Sequence, residues 1–237
     1  MRLSGMSSQS HSGVYPRGTF GDGVACIAQF GSQGFRGDEL FWPNYCDVSN
    51  TGDIAIADTD NNRIQVFQSN SHTSNFPPYG GLGSEDGLLR RPMSVKYSTI
   101  PGTNLAVTDT GNQRICLLRI NFKLGTLESM HSFGKTELVE PVDLSVDRRN
   151  GNIVVADSGA NDVIIFNHQG IRLGNLEQRG FRFSRPSAVT VTHDGKSDIY
   201  VSDSGNHCIR RFTCNGDYLG VLGQYGSVDG QFNSPRG

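Results

Sequence analysis

Four aspartates recur at nearly equal spacing and are the first residues in this sequence that could carry chemistry. They are Asp58, Asp109, Asp157 and Asp203, at spacings of 46 to 51 residues. A ring of carboxylates from successive repeats could bind a metal ion or transfer protons. Aspartates in such positions also act as turn anchors, because they accept hydrogen bonds from backbone N–H groups two or three residues ahead. The anchor role is favoured, since a site used once needs one copy, whereas a residue required by each repeat appears in each.

Each aspartate lies in a repeated segment in which a β-branched stretch precedes a polar turn and a second apolar stretch. The copies read IADTDNNRIQVF from Ile56, VTDTGNQRICLL from Val107, VADSGANDVIIF from Val155 and VSDSGNHCIRRF from Val201. The copies also differ. The fifth position after the aspartate is arginine in two of them, whereas the others have aspartate and cysteine: Arg63, Arg114, Asp162 and Cys208.

A second marker of the repeat is the proline that heads each unit. These prolines are Pro43, Pro92, Pro141, Pro186 and Pro235. Apolar residues or cysteine follow at the third and fifth positions after each of the first four, which indicates a strand with one buried face. With the two strands of the aspartate segment and a strand leading to the next unit, four strands fit into about 45 to 50 residues. Four strands in a repeat of this length are typical of a β-propeller blade.

The composition agrees with an all-β protein and restricts its partners. The chain has 237 residues, 30 of them glycine, and a net charge of −2, so the global balance does not call for nucleic acid or an anionic membrane. Its five cysteines form no CxxC pair, which indicates reduced thiols, and no apolar run reaches the length of a membrane helix. We therefore expect a cytoplasmic protein. Residues 1–23 are predicted to be a loop or disordered, and residues 24–237 to be the propeller.

The Pro-led strand, the apolar-Ala/Ser/Thr-Asp strand end and the Asn-(Asn/His/Gln)-Arg-Ile turn together resemble the NHL repeat. The C-terminal run GQYGSVDGQFNSPRG is similar to the blade-to-blade linker of TRIM-NHL proteins. This resemblance implies a propeller that closes with about six blades. Four complete copies are visible and the chain stops at the start of a further one, so we expect an extended chain to be more stable, because an unclosed array exposes sheet edges.

Arginines supply the candidate binding residues. Arg63 and Arg114 pair with a local carboxylate or reach a ligand, and more arginines flank the strand-heading prolines: Arg90, Arg91, Arg179, Arg182, Arg185 and Arg236. Alternation with Phe181 and Phe183 would let this group hold phosphates and stack bases. The same connectors carry seven acidic residues against eight basic ones, so a solvated rim of mixed charge is the alternative.

No motif of a catalytic or metal site is present. The histidines show no HxH, HxxxH or HExxH spacing, and there is no GxSxG element, P-loop or kinase signature. We therefore expect no enzyme activity, cofactor, metal or small-molecule substrate. Two binding functions follow from the resemblance: a platform that recruits protein substrates for ubiquitination by a RING domain elsewhere in the parent protein, or a surface that reads single-stranded or hairpin RNA to repress mRNA.

Overall fold

The computed structural model describes residues 30–69, 76–176 and 180–236. The predicted N-terminal segment, the proposed domain start at residue 24 and Arg179 lie outside these residues. Within them the chain is almost entirely strand and turn, and its only helical elements are three single 3-10 turns. Nothing in the described part of the chain forms a helix with the length and apolarity needed to cross a membrane.

The strands form four antiparallel sheets of four consecutive strands, and each sheet is one blade. Blade 1 contains β1 (Tyr45–Val48), β2 (Ile54–Asp58), β3 (Arg63–Phe67) and β4 (Tyr79–Gly80). Blade 2 contains β5 (Pro92–Tyr97), β6 (Leu105–Asp109), β7 (Arg114–Asn121) and β8 (Thr126–Phe133). Blade 3 contains β9 (Pro141–Val146), β10 (Ile153–Asp157), β11 (Asp162–Phe166) and β12 (Arg172–Asn175). Blade 4 contains β13 (Pro186–Val191), β14 (Ile199–Asp203), β15 (Cys208–Phe212) and β16 (Tyr218–Leu222). The predicted all-β propeller architecture is confirmed.

The aspartate motif forms the link between the second and third strands of each blade. In blades 1, 2 and 4 it contains a 3-10 turn, at Thr59–Asn61, Thr110–Asn112 and Ser204–Asn206. A residue in the left-handed conformation ends each turn; Asn62 has φ 55° and His207 has φ 55°. Asparagine and histidine tolerate this conformation better than most residues, which explains the polar sequence of the turn.

The first strands of the blades lie side by side around the axis of the propeller. β1 contacts β5, β5 contacts β9, and β9 contacts β13. Polar side chains on these strands connect the blades: Asp47 Oδ2 accepts the Tyr97 N–H at 2.8 Å, and Asp143 Oδ2 accepts the Val189 N–H at 2.9 Å. Such bonds fix the position of one blade relative to the next.

The hydrophobic core lies between the blades and not within any one of them. Three buried clusters separate successive blades, and representative members are Ile64 with Val95, Ile115 with Leu144, and Val163 with Val189. A blade therefore buries one face of its first strand only where the preceding blade covers it. Cys46 and Val48 occupy the equivalent face of blade 1, yet Cys46 is exposed and Val48 is 55% exposed, because no strand in the described part of the chain packs there.

Candidate functional site

The repeated aspartates are buried anchors that join the turn of a blade to the connector that leads into it. Asp58 is fully buried. Its Oδ1 accepts the backbone N–H of Phe41 at 2.7 Å, and its Oδ2 accepts Asn61 Nδ2 at 2.8 Å and Arg63 Nε at 2.7 Å. Because donors of the protein itself occupy both oxygens, this carboxylate is closed to an external ligand.

The other anchors follow the same plan with one local difference. Backbone N–H groups 17 to 19 residues earlier in the chain bind all four aspartates, from Phe41, Arg90, Val139, Glu140 and Ser184. The bond from a backbone N–H three residues ahead, expected for each copy, is present at Asp157, where Ala160 donates at 3.1 Å. At Asp109 and Asp203 an asparagine side chain takes its place, as at Asp58. Within the described ranges no group of three His, Cys, Asp or Glu side chains is placed to hold a metal ion.

Arg63 and Arg114, two of the candidate binding residues, are held inside the protein. Beyond its bond to Asp58, Arg63 donates to the carbonyls of the connector before blade 1, including Glu39 O at 2.7 Å. Arg114 donates to Asp109 and, among other connector carbonyls, to Leu88 O at 2.8 Å. Burial would lower the pKa of the Arg114 guanidinium, but the hydrogen bond with Asp109 raises it above its usual value, so the charge is retained. These contacts account for both arginines as connector clamps.

Blade 4 keeps this clamp although its sequence has Cys208 in the arginine position. Arg210, two residues later, donates from Nε to Asp203 Oδ2 at 2.6 Å. Alternate residues of a strand share a face, so a side chain two positions on reaches the same carboxylate. The Arg210 guanidinium also lies over the Phe181 ring, 3.7 Å from its centroid. Arg210 was not predicted from the sequence as a functional residue, although a signal was present: it is a basic residue at the next position on the same strand face as Cys208.

Five further arginines are exposed and form what we call the arginine rim: Arg90, Arg91, Arg182, Arg185 and Arg236. Their guanidinium groups make no hydrogen bond or ion pair with any residue that the structure describes. Their backbone is nevertheless fixed: the N–H groups of Arg91 and Arg185 donate to Asn62 Oδ1 at 2.9 Å and Asn161 Oδ1 at 2.7 Å. Both bonds join a strand-heading connector to the turn of the preceding blade, so these arginines lie on the face of the propeller that carries the turns.

The phenylalanines near the rim are packed inside the protein. Phe183 is buried, and its ring centroid lies 5.4 Å from that of Phe181 and 5.9 Å from that of Phe212. Arg210 and Tyr218 also contact Phe181. Phe181 and Phe183 were expected to stack on bases, but both rings are occupied by these contacts with other side chains.

A central cavity of about 480 Å³ opens on the turn-bearing face. Residues from all four blades line it, including Tyr45, Met93, Val142 and Arg185, and Arg236 completes one side. Two members of the arginine rim thus project onto a partly apolar cavity. The lining residues lie up to almost 200 positions apart in the sequence, so only the folding of the propeller brings them together.

The cysteines differ sharply in environment, and this predicts their reactivity. Cys46 is exposed, whereas burial raises the pKa of the Cys116 thiol to about 12. We expect iodoacetamide at about pH 8.5 to alkylate Cys46 and to spare Cys116, because the thiolate is the reactive form. Peptide mapping by mass spectrometry would measure both rates. In the denatured chain both should react, and equal rates in the native protein would contradict the prediction.

The same pKa has a consequence for stability. An unfolded thiol ionises near the ordinary pKa of 9.0, while the folded Cys116 thiol stays protonated up to about 12. The contribution of Cys116 to the free energy of unfolding is therefore fully present below pH 9 and is lost as the pH rises through this interval.

A family model of the NHL repeat matches residues 47–67 and 183–212. These ranges contain the aspartate motifs of blades 1 and 4. Protein brain tumor of Drosophila melanogaster is 29% identical over 142 residues, which are 60% of this chain and 13% of that protein. The E3 ubiquitin-protein ligase NHLRC1 of Homo sapiens is 23% identical over 201 residues, which are 80% of this chain and 48% of that protein. The chain thus spans less than half the length of either relative.

Solved structures share the blade architecture. Virginiamycin B lyase from Staphylococcus aureus superimposes with a TM-score of 0.54 at 20% identity, over 75% of this chain and 54% of the lyase. A chain of the nidogen/laminin complex superimposes with a TM-score of 0.53 at 17% identity, over 71% of this chain and 58% of that one. At these identities the likeness shows the fold alone. Together with the four blades and their aspartate anchors, the matches show a β-propeller with segments in blades 1 and 4 that match the NHL repeat, similar to the NHL domain of TRIM-NHL proteins.

Proposed function

We propose that this propeller is a non-catalytic binding module that recruits a protein partner through the arginine rim, in the cytoplasm, for ubiquitination by another part of the parent protein. The observation that carries the proposal is the division among the arginines. Arg63, Arg114 and Arg210 are used inside the protein, whereas the rim arginines are exposed on the turn-bearing face and have no partner in the described part of the chain.

Arginine suits an interface because its planar guanidinium makes paired hydrogen bonds to carboxylates and is enriched among residues that dominate binding energy. The fixed backbone of Arg91 and Arg185 reduces the entropy lost on binding, since only the side chain must be ordered. The similarity to the ligase NHLRC1 supports ubiquitination as the outcome of recruitment.

RNA binding is the second candidate, and the exposed guanidinium groups of the arginine rim favour it because they could contact phosphates. The packing of Phe181 and Phe183 weighs against it, since single-stranded RNA is commonly held by stacking on free aromatic rings. Exposed Glu140, which lines the central cavity, would also repel a phosphate backbone. A protein partner therefore fits these contacts better.

Charge reversal on the rim tests the proposal. We expect Arg91→Glu with Arg182→Glu in the full-length parent protein to reduce crosslinked protein partners and their ubiquitination by at least about tenfold, because both charges would repel an acidic surface. Quantitative mass spectrometry after crosslinking in cells measures both. Lys123→Glu is the matched control, since this exposed lysine lies in the β7–β8 hairpin, away from the turns.

Two results would overturn the proposal. In one, the rim variant retains the full set of protein partners. In the other, crosslinked RNA falls while protein partners do not, which would instead favour the RNA candidate.

A further inference from the structure

The central cavity differs from the rest of the arginine rim because it places beside apolar side chains two cations that have no partner among the described residues. Arg185 and Arg236 are exposed at its edge, and Met93, Val142 and Tyr45 line it while remaining partly accessible. A volume of about 480 Å³ lies within the range of ligand pockets and is large enough to receive side chains of a bound segment.

The lining comes mainly from the two copies that depart from the repeat. Blade 3 and its connector contribute Glu140, Val142, Asp143 and Ser158, and blade 4 and its connector contribute Arg185, Ser187, Ser204 and Gly205. Blade 3 has Asp162 and blade 4 has Cys208 in the arginine position of the motif. The regular blades 1 and 2 contribute little to the lining. The two repeats that lack the motif arginine are thus the ones that supply most of the cavity lining.

The accessible charges that line the cavity are net positive. Asp143 is buried, and its oxygens already accept Ser94 Oγ at 2.6 Å and the Val189 N–H at 2.9 Å. Burial also raises the pKa of its carboxyl group above the ordinary value. The accessible charges are therefore Arg185, Arg236 and Glu140.

The position of Arg236 is supported by the preceding residue. The hydroxyl groups of Ser187 and Ser204 both donate to the carbonyl of Pro235, the former at 3.1 Å. Arg185 is supported in turn by the bond of its N–H to Asn161 Oδ1. Hydrogen bonds thus fix the backbone at or next to both arginines that line the cavity.

We propose that the central cavity receives an acidic segment of the protein partner in which an aspartate or glutamate lies beside an apolar residue. The carboxylate binds Arg185 and Arg236, and the apolar side chain packs against Met93 and Val142. This inference rests on the proposed protein-binding function and names the chemistry of the partner. A phosphate chain fits less well, because it has nothing to place against the apolar wall.

A random twelve-residue peptide library displayed on phage provides the test, with the full chain as the target. We expect enriched peptides to contain Asp or Glu next to Leu, Ile, Met or Phe. As labelled synthetic peptides in fluorescence anisotropy, they should bind about tenfold more weakly to Arg185→Gln and to Arg236→Gln, and several-fold more weakly to Met93→Gln. Lys123→Gln should bind as the unmodified chain does. Circular dichroism confirms that each variant is folded.

The inference is overturned if the enriched peptides lack an acidic residue, or if the two arginine variants bind them as tightly as Lys123→Gln does. It is also overturned if a labelled oligouridylate, measured alongside, loses affinity in these variants while the peptides do not. These outcomes differ from failure of the proposed function. The Arg91→Glu, Arg182→Glu variant could lose its cellular partners while peptide binding proves independent of the cavity residues. In that case the arginine rim would still be the interface, but the cavity would not be part of it.

Discussion

Asp109→Asn should lower the free energy of unfolding by about 3–5 kcal/mol relative to the unmodified chain. The asparagine leaves the Arg114 guanidinium without its counter-ion although the arginine side chain is only 11% exposed. A buried charge that loses its partner costs more than the pair itself contributes, because water cannot replace the lost carboxylate. The asparagine also replaces one oxygen acceptor with an NH₂ group, so it cannot accept both the Arg90 N–H on one side and the bonds from Arg114 Nε and Asn112 Nδ2 on the other.

Asp157→Asn is the matched control, because Asp157 is equally buried but, among the residues that the structure describes, accepts hydrogen bonds from backbone N–H groups alone, those of Val139, Glu140 and Ala160. Its replacement should cost about 1–3 kcal/mol, the range for an unsatisfied buried polar group. Urea unfolding followed by circular dichroism would measure both losses, with equal m-values showing that the unfolded states are comparable. Equal losses at the two sites would contradict the role assigned to Arg114.

The second large effect is expected at Arg210. Arg210→Ala should lower the free energy of unfolding by about 3 kcal/mol, because it leaves the fully buried Asp203 carboxylate without its cation and uncovers the Phe181 ring. Adding Cys208→Arg to this variant should restore part of the loss. The equivalent position carries the clamp in blades 1 and 2, where arginine reaches the aspartate at 2.7 Å.

Arg211→Ala is the control for this pair of substitutions. Arg211 is the next residue in the strand and also pairs with an aspartate, Asp198, but its side chain is 40% exposed. Asp198 is itself largely buried, but solvent reaches the Arg211 guanidinium and screens this pair more than it screens the Arg210 pair, so the loss should be smaller than that at Arg210. The same unfolding measurement applies. A loss at Arg211 as large as that at Arg210, or no recovery from Cys208→Arg, would show that the clamp is not what stabilises blade 4.

The blade architecture could be predicted because its markers are local. A proline heads each unit, an aspartate ends its second strand, and the period-2 alternation between them requires no knowledge of distant residues. The alternation by itself does not decide whether the predicted face is buried. Val48 and Val146 follow their prolines at the same distance, but Val146 is 5% exposed and Val48 is 55% exposed. The pattern identifies the face to be buried, and only a neighbouring blade buries it.

The candidate site was less predictable, because its residues meet only through the propeller. The pairing of Arg210 with Asp203 depends on the register of β14 and β15, and the cavity combines Met93 of blade 2 with Arg236 beyond blade 4. The motif correctly indicated that copies 3 and 4 differ from the others. It did not indicate that their lining residues surround one opening.

By itself, the sequence determined the repeat, its four-stranded unit and the aspartate at the end of each second strand, because the markers are short local segments that recur every 46 to 51 residues. Only the tertiary structure decided which arginines are free. Arg63 and Arg91 are the same residue type, but connector carbonyls 24 to 28 residues earlier in the chain surround the guanidinium of Arg63. Within the described ranges Arg91 is held by its backbone N–H, and its exposed side chain remains available to a partner.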